Sequence, residues 1–126
     1  MARLEHLNIT VRDPDAVAEE LCTLLDWRIR WAGPALGQGR SVHVGTDDAY
    51  VALYRPEGGV TDPTAPRHQT HSGANHIGVV VDDIVAAEAR VTEHGYVPHS
   101  HAEYAPGKRF YFEGPEGVEI EVVAYP

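Results

Sequence analysis

A single cysteine, Cys22, is all the thiol chemistry this chain carries, so no disulfide can close within it. Cys22 falls in a segment of helical periodicity and reads as a small buried hydrophobe rather than a nucleophile. Positive charge is scarce as well: 10 Lys and Arg against 19 Asp and Glu leave a formal net charge of −9. That balance works against a polyphosphate partner, whose counterions must be replaced by basic side chains, and against an anionic membrane surface. No apolar run has the length of a membrane span, and the N-terminal stretch MARLEHLNITV meets charge at once, without the pattern of a signal peptide. The expectation is a cytoplasmic protein with neither nucleic acid nor membrane as partner. What is left is an ordinary globular composition, 43% hydrophobic and 23% charged, in 126 residues, enough for one domain with a core.

The chain contains a hidden repeat. Leu4 to Val11 alternates, with Leu7, Ile9 and Val11 on one side and His6, Asn8 and Thr10 on the other, which predicts a strand with one apolar face. Asp13-Pro14 then supplies an N-cap and a proline at the first helical position. A helix should run to about Leu25 and bury Val17, Leu21, Leu24 and Leu25. Asn75 to Asp83 repeats the strand: His76 aligns with His6, Val81 with Val11 and Asp83 with Asp13, at a spacing of 70. Asp83 can cap a helix from about Ile84 to His94, which Gly95 would stop.

The remainder repeats at a spacing of 69, laying Gly39 to Leu53 over Lys108 to Val122, Arg40 over Arg109, and Gly45 over Gly114. Asp47-Asp48 and Glu116-Gly117 then occupy hairpin turns. Each half reads as strand, helix, then two or three strands: a first module over about 1–56, a connector over 57–72 and a second module over about 73–126. Three prolines and two glycines between Arg55 and Ser72 mark the connector.

In each half the helix must cover one face of a small sheet, which leaves the other free to curve around a ligand. His6 and His76 belong to the free face. Val118, Ile120 and Val122 form the helix-side row of the last strand, so Glu119, Glu121 and Val123 face the opposite way. A carboxylate in so apolar a strand needs water or a cation. Two imidazoles and a carboxylate suit a divalent ion such as Zn, Fe, Mn, Ni or Co, with open positions for substrate. His6, His76 and Glu121 are therefore the expected ligands, in a cleft between the two halves. The position aligned with Glu121 is Ala52, so a fourth, symmetric ligand is missing.

On these residues the chain resembles the vicinal oxygen chelate superfamily, which includes glyoxalase I, fosfomycin-resistance thiol transferases, methylmalonyl-CoA epimerase, extradiol dioxygenases and bleomycin-resistance proteins. The likeness covers nearly the whole chain. It rests on Leu4 to Val11, on Asn75 to Asp83, and on Phe110 to Val122, where Gly114-Pro115-Glu116-Gly117 stands in place of an Asp-Pro-Asp-Gly turn. The resemblance implies one glyoxalase-like domain over 1–126 of α+β class, with paired βαβββ modules whose curved mixed sheets form a cleft. It also implies a homodimer, a small-molecule substrate, and metal ligands at His6, His76 and Glu121. Ala52 departs from glyoxalase I and the epimerase, which carry a further acidic or amide ligand there. Asn8 departs from the thiol transferases, which carry threonine. Lyase, thiol transferase and dioxygenase chemistry remain open, beside a bleomycin-resistance-type binding protein that performs no turnover.

Further side chains are placed by alternation. If Phe110 and Phe112 pack under the helix, Arg109 and Tyr111 face the metal. Tyr111 matches a tyrosine of the thiol transferases and could donate to a metal-bound oxygen or act as an acid, and Arg109 could fork onto a substrate carboxylate or phosphonate. Tyr50 and Tyr54 flank Ala52 and could form an aromatic wall, with Asn8 beside them. Glu119 is at best an outer partner of the metal. His99 and His101 are expected in a loop from His94 to Lys108, both on one side, with a possible proton-shuttle role. His68 and His71 are expected to be exposed in the connector, and His43, aligned with Phe112, on the helix side.

Overall fold

The structure is a computed structural model and describes residues 1–35, 37–104 and 107–126. The chain divides into two compact units, Met1–Asp62 and Pro63–Pro126. The division falls inside the stretch 57–72 that composition marked as a connector.

The first unit runs β1 (His6–Thr10), α1 (Pro14–Leu25), β2 (Arg28–Pro34), β3 (Arg40–Gly45) and β4 (Tyr50–Arg55). The second runs β5 (Ile77–Val80), α2 (Ile84–Glu93), β6 (His99–Tyr104), β7 (Gly107–Glu113) and β8 (Glu119–Ala124). The sheet orders are β1-β4-β3-β2 and β5-β8-β7-β6. In each, the strand before the helix lies parallel to the last strand, and the other pairings are antiparallel. These are two βαβββ modules of an α+β fold, each with an open mixed sheet.

Local chemistry explains the elements. Asp13 Oδ1 accepts from Ala16 N at 3.0 Å, and Asp83 Oδ1 accepts from Ala86 N at 3.0 Å. Each carboxylate thus satisfies an orphan amide of a first turn. Gly95, at φ +90°, lies just past α2, where a left-handed residue ends a helix at no steric cost. Helix α1 buries Val17, Ala18, Leu21 and Leu24. The alternate residues Val42, Val44, Val51 and Leu53 are buried in β3 and β4. In the second unit Val91, Phe110, Phe112, Ile120 and Val122 are buried in the same way. Each such side chain contributes about 1.5–3 kcal/mol by leaving water. No helix among the described residues is long and apolar enough to cross a membrane.

One element departs from expectation. His99–Tyr104 is a strand, not part of a loop (Ala105 and Pro106 lie outside the described residues). His-Ser-His-Ala-Glu-Tyr has no apolar alternation because β6 is an edge strand, held by backbone pairing to β7 alone. Hydrophobic periodicity is silent about a strand that has little core to cover.

Candidate functional site

In the second unit the core positions of Phe110 and Phe112 turn Arg109 and Tyr111 to the sheet face opposite α2. Register then sets Tyr111 against Glu121 and Arg109 against Val123. Glu121 is 9% exposed and fully engaged. Its Oε1 lies 3.1 Å from His76 Nε2, and its Oε2 accepts from Arg109 Nη1 at 2.8 Å. The guanidinium and carboxylate are both largely buried, so their charges neutralise each other where water screens little. Tyr111 packs between two imidazoles, edge-on to His76 at 5.8 Å and stacked with His99 at 6.3 Å.

A neighbouring side chain orients each of the two repeat-related histidines. Asn75 Oδ1 accepts from His76 Nδ1 at 2.6 Å. That contact holds the ring with Nε2 facing a carboxylate oxygen. Bonds of about 2.1 Å to one ion would separate the two ligand atoms by roughly 3.0–3.4 Å, for right-angle to tetrahedral geometry. The observed 3.1 Å fits that edge. His6 is held in the same way in the first unit, where its Nδ1 donates to Glu5 Oε1 at 2.8 Å. Fixing the ring through its other nitrogen is what metal-binding histidines require. The repeat therefore extends one residue before each histidine.

The opposite face of the first sheet carries aromatic rings from all four strands. His6 stacks on Tyr50 at 4.9 Å, Tyr50 on His43 at 4.6 Å, and His43 meets Trp31 at 5.0 Å. The Arg30 guanidinium lies 4.5 Å from the centre of the Tyr50 ring, a favourable cation–π placement. Burial, and then the Glu5 carboxylate, push the Tyr50 phenol up. Burial pushes the His43 imidazole down, helped by His6 and Arg30 and opposed by Glu5. An open cavity of about 350 Å³ adjoins the ring row, lined by Asn8, Trp31, Pro34, Ser41, His43 and Tyr54.

These placements correct the reading of His43. Register sets it against Ala52, on the face of Tyr50 and Tyr54 and away from α1. The reason is turn length. Four residues separate the partners Gly45 and Tyr50, whereas five separate Glu113 and Glu119. The added residue is absorbed by Glu116 and Gly117 at φ 53° and 75°. The 69-residue spacing therefore holds for β4 over β8 but becomes 68 for β3 over β7. His43 corresponds to Tyr111, not Phe112, and Arg109 to Ser41, not Arg40. Arg40 instead makes a two-pronged pair with Asp15 of α1, at 2.7 Å for each bond.

His99 and His101 do not share a side. The ladder to β7 shifts between His99 and Ala102, and Ser100 has φ 54°. This bulge sends His99 to Tyr111 and His101 to the helix side, where it stacks on Phe110 at 6.0 Å and meets Glu88 at 2.5 Å. His68 and His71 are exposed as expected, but His68 Nε2 also lies 2.6 Å from Glu119 Oε2, a contact the sequence did not foretell. Glu119, 6% exposed, also has a ligand oxygen within 4.8 Å of donors from His99 and Glu113.

The sequence matches the family model described as the Glyoxalase/Bleomycin resistance protein/Dioxygenase superfamily over residues 3–122. The chain belongs to that superfamily. Members of the glyoxalase superfamily among solved structures share its fold. The glyoxylase/bleomycin resistance protein/dioxygenase domain from Frankia sp. EAN1pec is similar at TM-score 0.81 and 21% identity, covering 100% of this chain and 99% of that one. TnmS3, an antibiotic binding protein from Streptomyces sp. CB03234, gives 0.75 and 16%, covering 100% and 98%. Fosfomycin resistance protein FosX from Mesorhizobium loti gives 0.70 and 20%, covering 98% and 91%. No curated protein matches the chain. Within this glyoxalase-superfamily chain, the second unit brings His76, Glu121, Arg109 and Tyr111 together, and the first brings together His6, Tyr50 and the cavity residues Asn8 and Tyr54.

Proposed function

We propose that this chain is a divalent-metal-dependent enzyme that chelates a small oxygen-bearing substrate, with lyase, thiol-transferase or dioxygenase chemistry. In this reading His76 and Glu121 hold the ion, and His6 completes the ligand set. The observation that carries it is the His76 Nε2 to Glu121 Oε1 approach at 3.1 Å, with Nδ1 already engaged by Asn75. A bound divalent ion would supply Lewis-acid stabilisation of an oxyanion on the substrate. Arg109 holds Glu121 Oε2 and so orients Oε1 toward His76. Tyr111, packed against His76, is the hydroxyl placed to donate a proton or hydrogen bond to a bound substrate oxygen. Homodimeric association belongs to the same reading and is checked by sedimentation.

The test is elemental analysis of protein purified without added metal, followed by thermal unfolding with Zn, Fe(II), Mn, Ni and Co. Binding of metal, with a rise in Tm that His76→Ala and Glu121→Gln each abolish, is expected. A chain that neither retains metal nor gains stability from any of the five ions is not such an enzyme.

A second reading, a protein that binds a drug or metabolite without turnover, is favoured by the row of rings His6, Tyr50, His43 and Trp31 beside the first unit's cavity. Flat aromatic ligands quenching tryptophan fluorescence in metal-free protein would support it, provided Trp31→Ala removes the effect.

A further inference from the structure

The second unit gathers another set of ligand-bearing side chains on the same sheet face. Glu113 ends β7 and Glu119 opens β8 as its register partner. His99 opens β6 and pairs with Tyr111, two residues before Glu113. One ligand atom from each of His99, Glu113 and Glu119 lies within 4.8 Å of the other two. Donors sharing one ion on bonds of about 2.1 Å stand at most roughly 4.2 Å apart, so small side-chain movements would bring all three into contact with it.

Charge and outer contacts point the same way. Glu119 is 6% exposed, in a strand whose next residue, Ile120, is fully buried. The guanidinium of Arg67 donates to Glu113 Oε2 at 2.9 Å and balances one of the two carboxylates. Glu119 Oε2 meets the imidazole of His68 at 2.6 Å. Two carboxylates and one guanidinium meet here, with the charge of Glu119 buried. Burying that charge is costly unless a cation joins it. Each carboxylate also has one oxygen held from outside, by Arg67 or by His68, which is how ligating carboxylates are oriented in metal sites.

We propose that His99, Glu113 and Glu119 form a second divalent-cation site, with Arg67 and His68 orienting its carboxylates. One imidazole and two carboxylates, with no thiolate, suit a borderline ion such as Zn²⁺ or Mn²⁺. The site shares no ligand with the His76–Glu121 pair. The Tyr111 ring touches an imidazole of each set, His76 of one and His99 of the other. The proposal stands whether or not the His76–Glu121 pair binds metal.

Equilibrium dialysis of metal-free protein against Zn²⁺ tests it, with bound metal measured per chain in wild type, His99→Gln, Glu113→Gln and Glu121→Gln. Glu113 is exposed enough for its substitution to leave folding intact, and circular dichroism checks this. The wild type is expected to bind one more ion than either His99→Gln or Glu113→Gln, and Glu121→Gln is expected to retain that ion. In long-range ¹H–¹⁵N spectra of the Glu121→Gln protein, Zn²⁺ should shift the His99 ring and leave His101, held by Glu88, unmoved. Unchanged stoichiometry in His99→Gln and Glu113→Gln, together with unmoved His99 ring resonances in Glu121→Gln on adding Zn²⁺, would overturn the proposal. Loss of all metal in Glu121→Gln alone would also overturn it, while supporting the His76–Glu121 reading. Retention of one ion in Glu121→Gln that His99→Gln removes would support this site, and would reject the other reading if wild type bound no more.

Discussion

His76 turns Nε2 toward Glu121 Oε1 at 3.1 Å while its Nδ1 is taken by Asn75. The pair is pre-arranged rather than merely close. Orientation comes from the residue just before the histidine, and the first unit repeats the device with Glu5 and His6.

Removing the orienting group should weaken metal binding without deleting a ligand. Asn75→Ala, and separately Glu5→Ala, are expected to raise the Kd for Zn²⁺ by roughly 10–100-fold, the range found when outer partners of metal ligands are lost. Competition against a chromophoric chelator measures it. An unchanged Kd in Asn75→Ala would show that the Nδ1 contact does not prepare the ring.

Arg109 stands against Glu121 with both side chains largely buried. Arg109→Met leaves the carboxylate without its guanidinium, and loss of one partner from such a pair costs about 3 kcal/mol or more. Urea unfolding of metal-free protein should show this. Added Zn²⁺ should raise the midpoint of Arg109→Met by more than that of wild type, because the ion replaces the lost cation.

His43 should titrate below the ordinary imidazole value of 6.5, because burial disfavours its charged form. Since the folded state prefers the neutral ring, its contribution to stability is present above that value and is lost as pH falls through the depressed folded one. Unfolding free energy measured from pH 7.5 downward should therefore decline less steeply in His43→Gln than in wild type. In His6→Ala the NMR midpoint of His43 should rise, because His6 is the second cause of the depression.

The helix caps offer an internal comparison. Asp13→Ala and Asp83→Ala each remove one 3.0 Å bond to a first-turn amide, at a cost of about 1 kcal/mol. Phe112→Ala, at a fully buried position, should cost about 3–5 kcal/mol. Chemical denaturation distinguishes these sizes, and equal losses at caps and core would contradict the assignment of Phe112 to the helix side.

Periodicity and repetition in the sequence were enough for a strand and helix opening each half, both caps, the core faces of β7 and β8, and the faces of Tyr50, Tyr54, Arg109, Tyr111 and Glu121, while the full βαβββ count came from the family resemblance and β6 from the structure. A buried face imposes its period on the residues that form it, so this information is local. Three placements lay beyond such reasoning. His43 changed face because one turn is a residue shorter than its counterpart. His99 and His101 parted because a bulge at Ser100 reversed the alternation. His68 found Glu119 across fifty-one positions of chain. A strand's side-chain period is two, so a single added or bulged residue exchanges its faces, and neither event leaves a mark in hydrophobic patterning. The sequence alone determined which residues are chemically able to bind a metal, and it placed His6, His76 and Glu121 on strands. Only the tertiary structure decided which of them meet, because hydrogen-bond register and turn length are settled by the pairing of whole strands.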